Sequence, residues 1–305
     1  MLREVNEIPI FVSSCDSYAD IWPAFFALLK REWPEYRGKI YLNTETLEYQ
    51  YDGLNIVCTK LGQQKHFGET FLKGLDCIDG SSFLLFMIDY FIEGRVDVQR
   101  LQRIYDIFLH DDVDTFALAL QPLGEILPLK ENEQYAMLIN RRSWRIMFSF
   151  QIAFWKKDSL KKLIAPWEDP WRAEHLGSRR AGLSNMRFYL LRMYNDKPIK
   201  YDESGVLHGG GKWLMSALSR IDLTDIPLNL KTSPRLVYRE SANSVIGFIK
   251  GEIKVLPMKM WLWLILLLKH PTGIRFLVLD VFGRISRLFT RCMTWSKNKE
   301  ESKHG

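Results

Sequence analysis

The sequence predicts an α/β fold with a mainly parallel sheet flanked by helices. Two observations carry this prediction. Over the first half of the chain, short apolar runs alternate with segments of helical periodicity, which is the pattern of βαβ units. One of these runs, "SFLLFMIDYF", is apolar on both faces, as expected of a central strand that helices cover on both sides. The 305 residues suffice for one large domain and an appendage.

The elements of the first half follow in order from these runs. The first strand, Pro9–Val12, ends abruptly in polar residues, and an amphipathic pattern begins after it. "KIYLNTE" and "NIVCTKL" are the second and third strands, and "SFLLFMIDYF" is the fourth. Helical periodicity and short apolar runs identify the remaining elements: helices near Ala19–Glu32, Gly68–Leu75 and Val96–His110, and a fifth strand near Thr115–Leu120.

The second half has an α+β pattern that is rich in Trp and polar loops. "RIMFSFQIAFW" predicts a strand, and "KKDSLKKLI" predicts a short helix. The loop "APWEDPW" then leads into the helical segment "RAEHLGSRRA". "PIKYDESGVLHGGGKW" predicts a β-ribbon or a loop that ends in a glycine run, and the helix "LMSALSRI" follows it.

Several classes of protein are disfavoured by patterns that the sequence lacks. There is no GxGxxG and no P-loop, which argues against an NAD-type Rossmann enzyme and a P-loop kinase. The four cysteines form no CxxC pair, so a structural zinc site is disfavoured, and their scatter fits a reducing cytosol. The sequence does not start with a positively charged region followed by an apolar stretch of signal-peptide length, so we expect no secretion.

Charge separates the C-terminal segment from the rest of the chain. Residues 253–305 contain ten Lys or Arg and three Asp or Glu, whereas the whole chain has a net charge of +6. The first 252 residues are therefore almost neutral, which argues against a nucleic-acid-binding body. We expect two parts: a main domain over residues 1–252 and a basic, apolar C-terminal tail over residues 253–305.

The tail has the pattern of a membrane-surface segment. Its apolar block Trp261–Leu268 is shorter than the roughly 20 residues that a membrane-spanning helix needs. After Pro271, apolar residues share one face of a predicted helix, and basic residues recur at three-and-four spacing on another: Arg284, Arg287 and Arg291. This segregation predicts amphipathic helices that lie on an anionic membrane. The alternative is an apolar tail buried against the body or in a dimer.

Two predicted strands end in carboxylates that lie where an α/β sheet binds ligands. Asp16 follows the first strand and Asp89 follows the fourth, so both are predicted at the carboxyl edge of the sheet. Either could bind a ligand. Alternatively, Asp16 caps the following helix, and Asp89 caps a helix or pairs with Arg95. Two such acids in one sheet favour a binding site.

Two further segments combine residue types that suit transfer chemistry. In "GVLHGGGKW", the glycines allow backbone N–H groups to approach an anion, and Lys212 adds positive charge, so a diphosphate would fit. The alternative is a hairpin tip with a solvated lysine. In "PWEDPWRAE", carboxylates lie between two tryptophans, which suits a general base beside a sugar ring. The alternative is a proline-rich loop whose acids cap a helix.

The chain resembles a family of bacterial glycosyltransferases of lipopolysaccharide or capsule assembly. The residues that carry this resemblance are "SSCDSYADIWPAFFALLKREWPEYRGKIYLNTE", "FLLFMIDYFIEGRVD", "FSFQIAFWKKDSLKKLI", "PWEDPWRAEHLGSRRA" and "GGGKW", which span roughly residues 8 to 220 in this order. The S-C-D-x-Y-x-D-x-W opening and the Q-x-x-x-W…W-x-x-E stretch are its more specific parts. The resemblance implies the nucleotide-diphosphosugar transferase (GT-A) fold, with a Rossmann-type sheet.

The resemblance also implies roles for individual residues. Asp16 and Tyr18 would contact the nucleoside, and Asp89 would fill the position of the family's DxD acid. Glu174, or as a second choice Asp169, would be the general base. The other implied contacts are with the nucleotide sugar, its diphosphate or a metal: Gln151 and Trp155 with the donor, Lys212 with the diphosphate, and His208 with Asp89 on a divalent metal.

One departure from the family pattern bears on the metal. The DxD position reads Met87-Ile88-Asp89, so a single acid remains, and the next residue is Tyr90. A requirement for Mn²⁺ or Mg²⁺ is therefore an open expectation, since Lys212 could neutralise the diphosphate instead.

The sequence and the resemblance together predict a membrane-associated glycosyltransferase. It would move a sugar from a nucleotide-sugar donor to a lipid-linked or polysaccharide acceptor in O-antigen or capsule synthesis, with inversion if Glu174 is the base. The tail would hold it on the cytoplasmic face of the inner membrane. Two alternatives stay open: a catalytically degenerate scaffold of a glycan assembly complex, and a nucleotidyltransferase.

Overall fold

A computed structural model describes the chain over most of residues 4–238. The described residues are 4–63, 66–118, 126–129, 132–138, 148–191, 197–208, 210–230, 233–238 and 260. By its contacts, the chain divides into two units, Met1–Tyr238 and Arg239–Gly305. The fold and the candidate site described below belong to the first unit. The predicted tail helices of residues 253–305 lie outside the described residues, apart from position 260.

The first half consists of alternating strands and helices, as its sequence pattern predicts. The elements in chain order are β1 (Ile10–Ser13), α1 (Trp22–Glu32), β2 (Lys39–Leu42), β3 (Asn55–Cys58), α2 (Phe67–Asp76), β4 (Ser82–Met87), α3 (Val98–His110) and β5 (Thr115–Ala117). Short 3₁₀ helices precede β1 and follow it, at Val5–Glu7 and Asp16–Ile21.

Over its described residues, the second half adds strands, three helices and a small ribbon. In chain order these are β6 (Ile126–Leu129), β7 (Asn132–Leu138), β8 (Ala153–Lys156), α4 (Lys157–Lys161), α5 (Pro170–Leu183), β9 (Phe188–Leu191), β10 (Leu207–His208), β11 (Lys212–Trp213) and α6 (Met215–Leu218). The last two strands pair with each other in a separate two-stranded ribbon.

Of the strands described above, nine form one sheet in the order β3-β2-β1-β4-β8-β5-β9-β7-β6. The pairs from β3 to β4 are all parallel, and so is the pair of β5 with β9. The order 3-2-1-4 is that of a Rossmann-type sheet, in which the direction of winding reverses between β1 and β4. The predicted α/β class is confirmed, and the parallel pairing covers the half of the sheet where the candidate acids lie.

Strand β8 enters this sheet in the opposite direction. It lies antiparallel between β4 and β5, with Leu85 opposite Ala153 and Ser82 opposite Lys156. The chain therefore enters β8 at the same edge at which β1 and β4 leave the sheet. We call this edge, where β1, β2 and β4 end and β8 begins, the ligand edge.

Helices cover both faces of the sheet, which explains the uninterrupted apolar sequence of β4. Leu84 and Phe86 pack into the core under α1 and α3. Phe83 and Leu85 face the second core, which is closed by α2, α4 and α5. Since alternate residues of a strand point to opposite faces, an apolar residue is required at every position.

The sequence prediction differs from the structure in two respects. The predicted strand "RIMFSFQIAFW" is shorter, since residues 148–152 lead into β8 as a loop. Strands β6, β7 and β9 were not predicted, because β6 contains Pro128 and β7 begins with polar residues. Both lie at the end of the sheet, where proline is tolerated.

None of the described helices has the length and apolar character that spanning a membrane requires.

Candidate functional site

The reversal of winding between β1 and β4 marks the crevice in which such sheets bind ligands. The 3₁₀ helix after β1 brings Tyr18 to this crevice, and the loop after β4 brings Asp89. The two side chains are close: burial raises the pKa of Tyr18, and the negative charge of Asp89 raises it further. Two of the residues predicted for nucleotide-sugar binding thus lie together at the ligand edge.

Asp16 does not cap the helix that follows it but ties two loops of the ligand edge together. Its Oδ1 accepts a hydrogen bond from the backbone N–H of Glu45 at 2.9 Å. Its Oδ2 accepts from the N–H and the hydroxyl of Thr46, at 2.9 and 2.7 Å, and from the N–H of Leu47 at 3.1 Å. Burial opposes ionisation of Asp16, but these hydrogen bonds prevail and lower its pKa. The carboxylate is therefore occupied by the loop after β2.

Asp89 is enclosed by a turn that requires glycine. Gly205 has a φ of +71°, and a Cβ atom there would lie 2.5 Å from Oδ2 of Asp89. The next residue, Val206, donates its N–H to the backbone carbonyl of Asp89 at 2.8 Å. Desolvation by this packing raises the pKa of Asp89 to about 7, although its own backbone N–H lowers it. Among the described residues, no other group donates a hydrogen bond to the carboxylate.

The close approach of Gly205 to Asp89 predicts a specific loss of stability. Gly205→Ala should lower the free energy of unfolding for two reasons. The left-handed backbone conformation costs an alanine about 1–2 kcal/mol. In addition, the new methyl group would collide with the Asp89 carboxylate, which increases the loss. Gly80→Ala is the matched control, because Gly80 has a φ of +84° and no described atom within 4 Å of the added Cβ. Urea unfolding of both variants measures the difference. Equal losses would contradict the contact.

Glu174 is a second carboxyl group at the ligand edge, and it is half-buried. It lies on α5, and its Oε1 accepts a hydrogen bond from the backbone N–H of Phe150 at 2.8 Å, just before the chain enters β8. Burial raises the pKa of Glu174 to about 7, against the lowering effect of that hydrogen bond. Tyr90 follows Asp89 in the chain, and its pKa is held well above the ordinary value, first by burial and then by nearby charges that include those of Asp89 and Glu174.

Gln151 connects the surroundings of these acids through its side-chain amide. Its Nε2 lies 3.0 Å from the hydroxyl of Tyr90 and 3.0 Å from the backbone carbonyl of Glu203. Its Oε1 lies 3.0 Å from the hydroxyl of Tyr201. The residue thus joins the loop after β4, the entry to β8 and the turn that covers Asp89. Its predicted place at the site is consistent with this position, although all of these contacts are within the protein.

Gly210 and Gly211 lie at the tip of the ribbon, which is the local structure that the hairpin alternative describes. His208 on β10 pairs with Lys212 on β11, and both side chains are exposed. The imidazole of His208 lies edge-on to the ring of Tyr238, with 4.5 Å between the ring centroids. Gly210 and Gly211 have φ values of +84° and +85°, which the turn at the tip requires.

Arg235, which nothing in its sequence context singles out, attaches the ribbon to the ligand edge. Its guanidinium pairs with the carboxylate of Asp20 at 2.7 and 2.5 Å. It also donates to the backbone carbonyls of Ser17 at 3.0 Å and Gly211 at 3.1 Å. The central carbon of its guanidinium lies 4.7 Å from the centre of the Tyr18 ring. The glycine tip is therefore held beside Tyr18, on the side of the crevice where β1 ends.

Two predicted site residues have structural positions instead. Trp155 is only 2 % exposed and packs edge-on against Phe148 and Phe188 in the core, so the predicted donor contact is corrected: a ligand cannot reach its ring. Asp169 is the N-cap of α5, where its carboxylate accepts the N–H of Arg172 at 2.9 Å. The helix-cap alternative therefore describes Asp169, and Glu174 is the acid that faces the ligand edge.

The predicted metal ligands do not form a cluster. Across the described ranges, no group of three or more His, Cys, Asp or Glu side chains is arranged to hold a metal ion. Asp89 offers one enclosed carboxylate, and His208 is exposed on the ribbon against Tyr238. The described donor set does not fit a divalent metal centre, and the expected dependence on Mn²⁺ or Mg²⁺ stays a prediction.

Comparisons with known proteins find similar folds among solved structures at low sequence identity. No protein-family model matches the chain, and no curated protein matches it. Among solved structures, it is similar to residues 1–349 of TarS from S. aureus, with 15% identity, a TM-score of 0.41, and coverage of 61% of this chain and 58% of that chain.

Two further solved structures have similar scores. UTP-bound UGPase from Acinetobacter baumannii is 9% identical, with a TM-score of 0.40 and coverage of 70% of this chain and 91% of that chain. Bifunctional IspDF from Campylobacter jejuni is 12% identical, with a TM-score of 0.38 and coverage of 72% of this chain and 55% of that chain. The matches thus span less than two thirds of the TarS and IspDF chains.

Proposed function

We propose that this protein is a glycosyltransferase that uses a nucleotide-sugar donor. The observation that carries the proposal is the convergence of Asp89 and Glu174 at the ligand edge. Both residues are half-buried, and desolvation of their carboxyl groups raises the pKa of each to about 7. Desolvated titratable groups of this kind, next to the crevice of a Rossmann-type sheet, favour a site of proton transfer over a structural ion pair. The sequence resemblance to bacterial glycosyltransferases supports the same reading.

In the proposed reaction, Glu174 is the general base. Its carboxylate accepts the proton of an acceptor hydroxyl while that oxygen attacks the anomeric carbon of the donor sugar. The bond from this carbon to the diphosphate oxygen breaks, and the nucleoside diphosphate leaves with the electron pair. A base with a pKa of about 7 combines ionisation near neutral pH with strength as a proton acceptor. Direct displacement of this kind inverts the anomeric centre.

The other side of the crevice supplies groups that suit the nucleotide part of the donor. Tyr18 offers an aromatic ring beside the end of β1, and Arg235 adds positive charge over that ring. Lys212 is exposed on the ribbon next to the glycine tip. Cationic side chains and backbone N–H groups stabilise the negative charge that develops on a departing diphosphate. No step of this mechanism passes through a metal ion.

The acceptor and the cellular setting are part of the proposal and rest on the resemblance and the tail sequence. The acceptor would be a lipid-linked glycan or a growing polysaccharide of the O-antigen or capsule type. The basic amphipathic tail, residues 253–305, would hold the enzyme on the cytoplasmic face of the inner membrane. Removal of the tail before Pro257 should then release the protein from membranes on fractionation, and unchanged fractionation would contradict the membrane role.

A thermal-shift screen of the purified full chain tests the donor. The probes are UDP-glucose, UDP-GlcNAc, GDP-mannose, dTDP-glucose and a CMP-sugar, each with its free nucleotide, with and without Mn²⁺. A ligand that binds the native state raises the apparent stability by mass action, so we expect one nucleotide family to raise Tm. The absence of any shift would argue against a nucleotide-sugar enzyme and favour the scaffold alternative.

The leaving group separates glycosyl transfer from nucleotidyl transfer. If the screen identifies a nucleoside-diphosphate sugar, we expect release of the nucleoside diphosphate, either on transfer or on slow hydrolysis of the donor; a CMP-sugar would release CMP. A nucleotidyltransferase would instead release pyrophosphate from a nucleoside triphosphate. Formation of pyrophosphate from UTP, GTP or dTTP and a sugar phosphate, without release of the diphosphate from any sugar nucleotide, would overturn the proposal.

A further inference from the structure

The polarity of the hydrogen bonds around Gln151 is determined by one backbone group. The carbonyl oxygen of Glu203 can only accept a hydrogen bond, so the atom of the Gln151 amide that faces it at 3.0 Å must be the NH₂ nitrogen. The amide oxygen then faces Tyr201, at 3.0 Å from its hydroxyl. The opposite orientation of the amide would place two acceptors against each other.

This orientation assigns the hydroxyl protons of both tyrosines. Tyr201 must donate its proton to the Gln151 oxygen, because that oxygen cannot donate. Tyr90 must accept the second N–H of the Gln151 amide, at 3.0 Å. The hydroxyl proton of Tyr90 therefore points away from Gln151. Within the described residues, no acceptor for it lies at hydrogen-bond distance.

The surroundings of that proton are acidic. Tyr90 is 8 % exposed, packs with its ring 5.1 Å from that of Tyr201, and lies near the carboxyl groups of Asp89, Glu174 and Glu203. The neighbouring cation, Lys197, is held at 2.5 Å by Glu203.

This arrangement selects the kind of group that can bind. A phosphate oxygen would meet two or three carboxylates here, which is repulsive. A sugar hydroxyl fits, because it can accept a hydrogen bond from Tyr90 and donate one to a neighbouring carboxylate. Asp89 is near enough to Tyr18 for its charge to raise the pKa of that side chain, and Tyr90 is the next residue along the chain. The sugar ring attached to a nucleotide at Tyr18 would therefore extend toward Tyr90.

We propose that the hydroxyl of Tyr90 donates a hydrogen bond to a ring hydroxyl of the donor sugar, and that Tyr90, Asp89 and Gln151 form the sugar subsite. This inference rests on the proposed function, because it takes the donor to be a nucleotide sugar. It goes further in separating the crevice into two parts. The part near Tyr18 and Arg235 receives the nucleoside diphosphate, and the part near Tyr90 receives the neutral sugar.

The test compares Tyr90→Phe with the wild-type chain in isothermal titration. The probes are UDP-glucose or UDP-GlcNAc against UDP, or the corresponding pair from whichever nucleotide family the screen identifies. Loss of one hydrogen bond should weaken binding of the sugar nucleotide about tenfold and leave binding of the free diphosphate within about twofold. Tyr36→Phe is the control, since Tyr36 is a buried tyrosine whose hydroxyl bonds to the Ile8 carbonyl instead.

The possible results are distinguishable. A loss for the sugar nucleotide that exceeds the loss for the free diphosphate supports the sugar subsite. Equal losses for both probes, or no loss for either, overturn it while the proposed function stands. If the wild-type chain binds neither any sugar nucleotide nor any free nucleotide, the proposed function fails, and the subsite fails with it.

Discussion

Glu174→Gln should reduce glycosyl transfer by about 10²–10⁴-fold and at the same time make the protein more stable at pH 8. The amide cannot accept the acceptor's proton, but its oxygen can still accept the Phe150 N–H that Glu174 bonds in the native protein. The variant also removes an ionised group from a desolvated position. Activity with the identified donor and urea unfolding at pH 8 measure the two effects on one sample.

The gain in stability has a definite dependence on pH. The folded-state pKa of Glu174 is about 7, above the ordinary value of 4.5. The folded protein therefore binds a proton that the unfolded chain releases, and the stability of the wild type falls as pH rises from about 4.5 to 7. The advantage of the variant should be on the order of 2–3 kcal/mol at pH 8 and should disappear below about pH 4.5.

The pH dependence of activity should have the opposite sign. The base must be ionised, so the transfer rate of the wild type should rise as pH increases through about 7 and then level off. Asp169→Asn is the matched control, because it also changes an acid on α5 to its amide, and asparagine caps helices as well as aspartate does. We expect little change from it. Full activity in Glu174→Gln, or equal loss in Asp169→Asn, would contradict the role of Glu174.

Arg180→Ala should lower the free energy of unfolding by about 3–5 kcal/mol. Its guanidinium donates to both carboxylate oxygens of Glu168, at 2.9 and 2.5 Å, and to the backbone carbonyl of Leu163. Glu168 is fully buried and also accepts the N–H of Ala165 at 2.8 Å. Removal of the arginine leaves a buried charge without its cationic partner, which is far less favourable than the loss of a surface pair.

Arg172→Ala is the control for this prediction. Arg172 pairs with Asp169 at 3.3 Å on the same helix, but both side chains are more than two fifths exposed, so the loss should be about 0–1 kcal/mol. Denaturant unfolding of the two variants gives the difference directly. A loss below 1 kcal/mol for Arg180→Ala would mean that the loop before α5 rearranges to expose Glu168 to water.

The candidate acids were predictable because their positions depend on local sequence. Asp89 directly follows an apolar strand, so any parallel sheet delivers it to the carboxyl edge. Glu174 and Gln151 were indicated by the resemblance, and the structure brings both to that edge. Trp155 was misassigned because a tryptophan in a strand has the same pattern whether it packs or binds. In β8, which lies between β4 and β5 with both faces covered, it can only pack.

The contacts that complete the site had no local signal. Arg235 reaches Asp20 across 215 positions of the chain, and Gln151 reaches Tyr90 across 61. Neither pair follows a helical or strand period, so neither could be inferred from spacing. Asp16 illustrates the same limit: its location after β1 was predictable, but its four hydrogen bonds to residues 45–47 depend on how the second strand ends beside the first.

The sequence by itself determined the alternation of strands and helices, the apolar character of β4 and the acids at the strand ends, because each depends on neighbouring residues. Only the tertiary structure decided that β8 runs antiparallel, and this direction brings Gln151 and the Glu174 contact to the ligand edge. It also decided which acids are desolvated. A carboxyl group is desolvated only when all the elements around it exclude water together. The pKa of about 7 for Asp89 and Glu174 therefore arises only once the sheet, α5 and the Gly205 turn have packed.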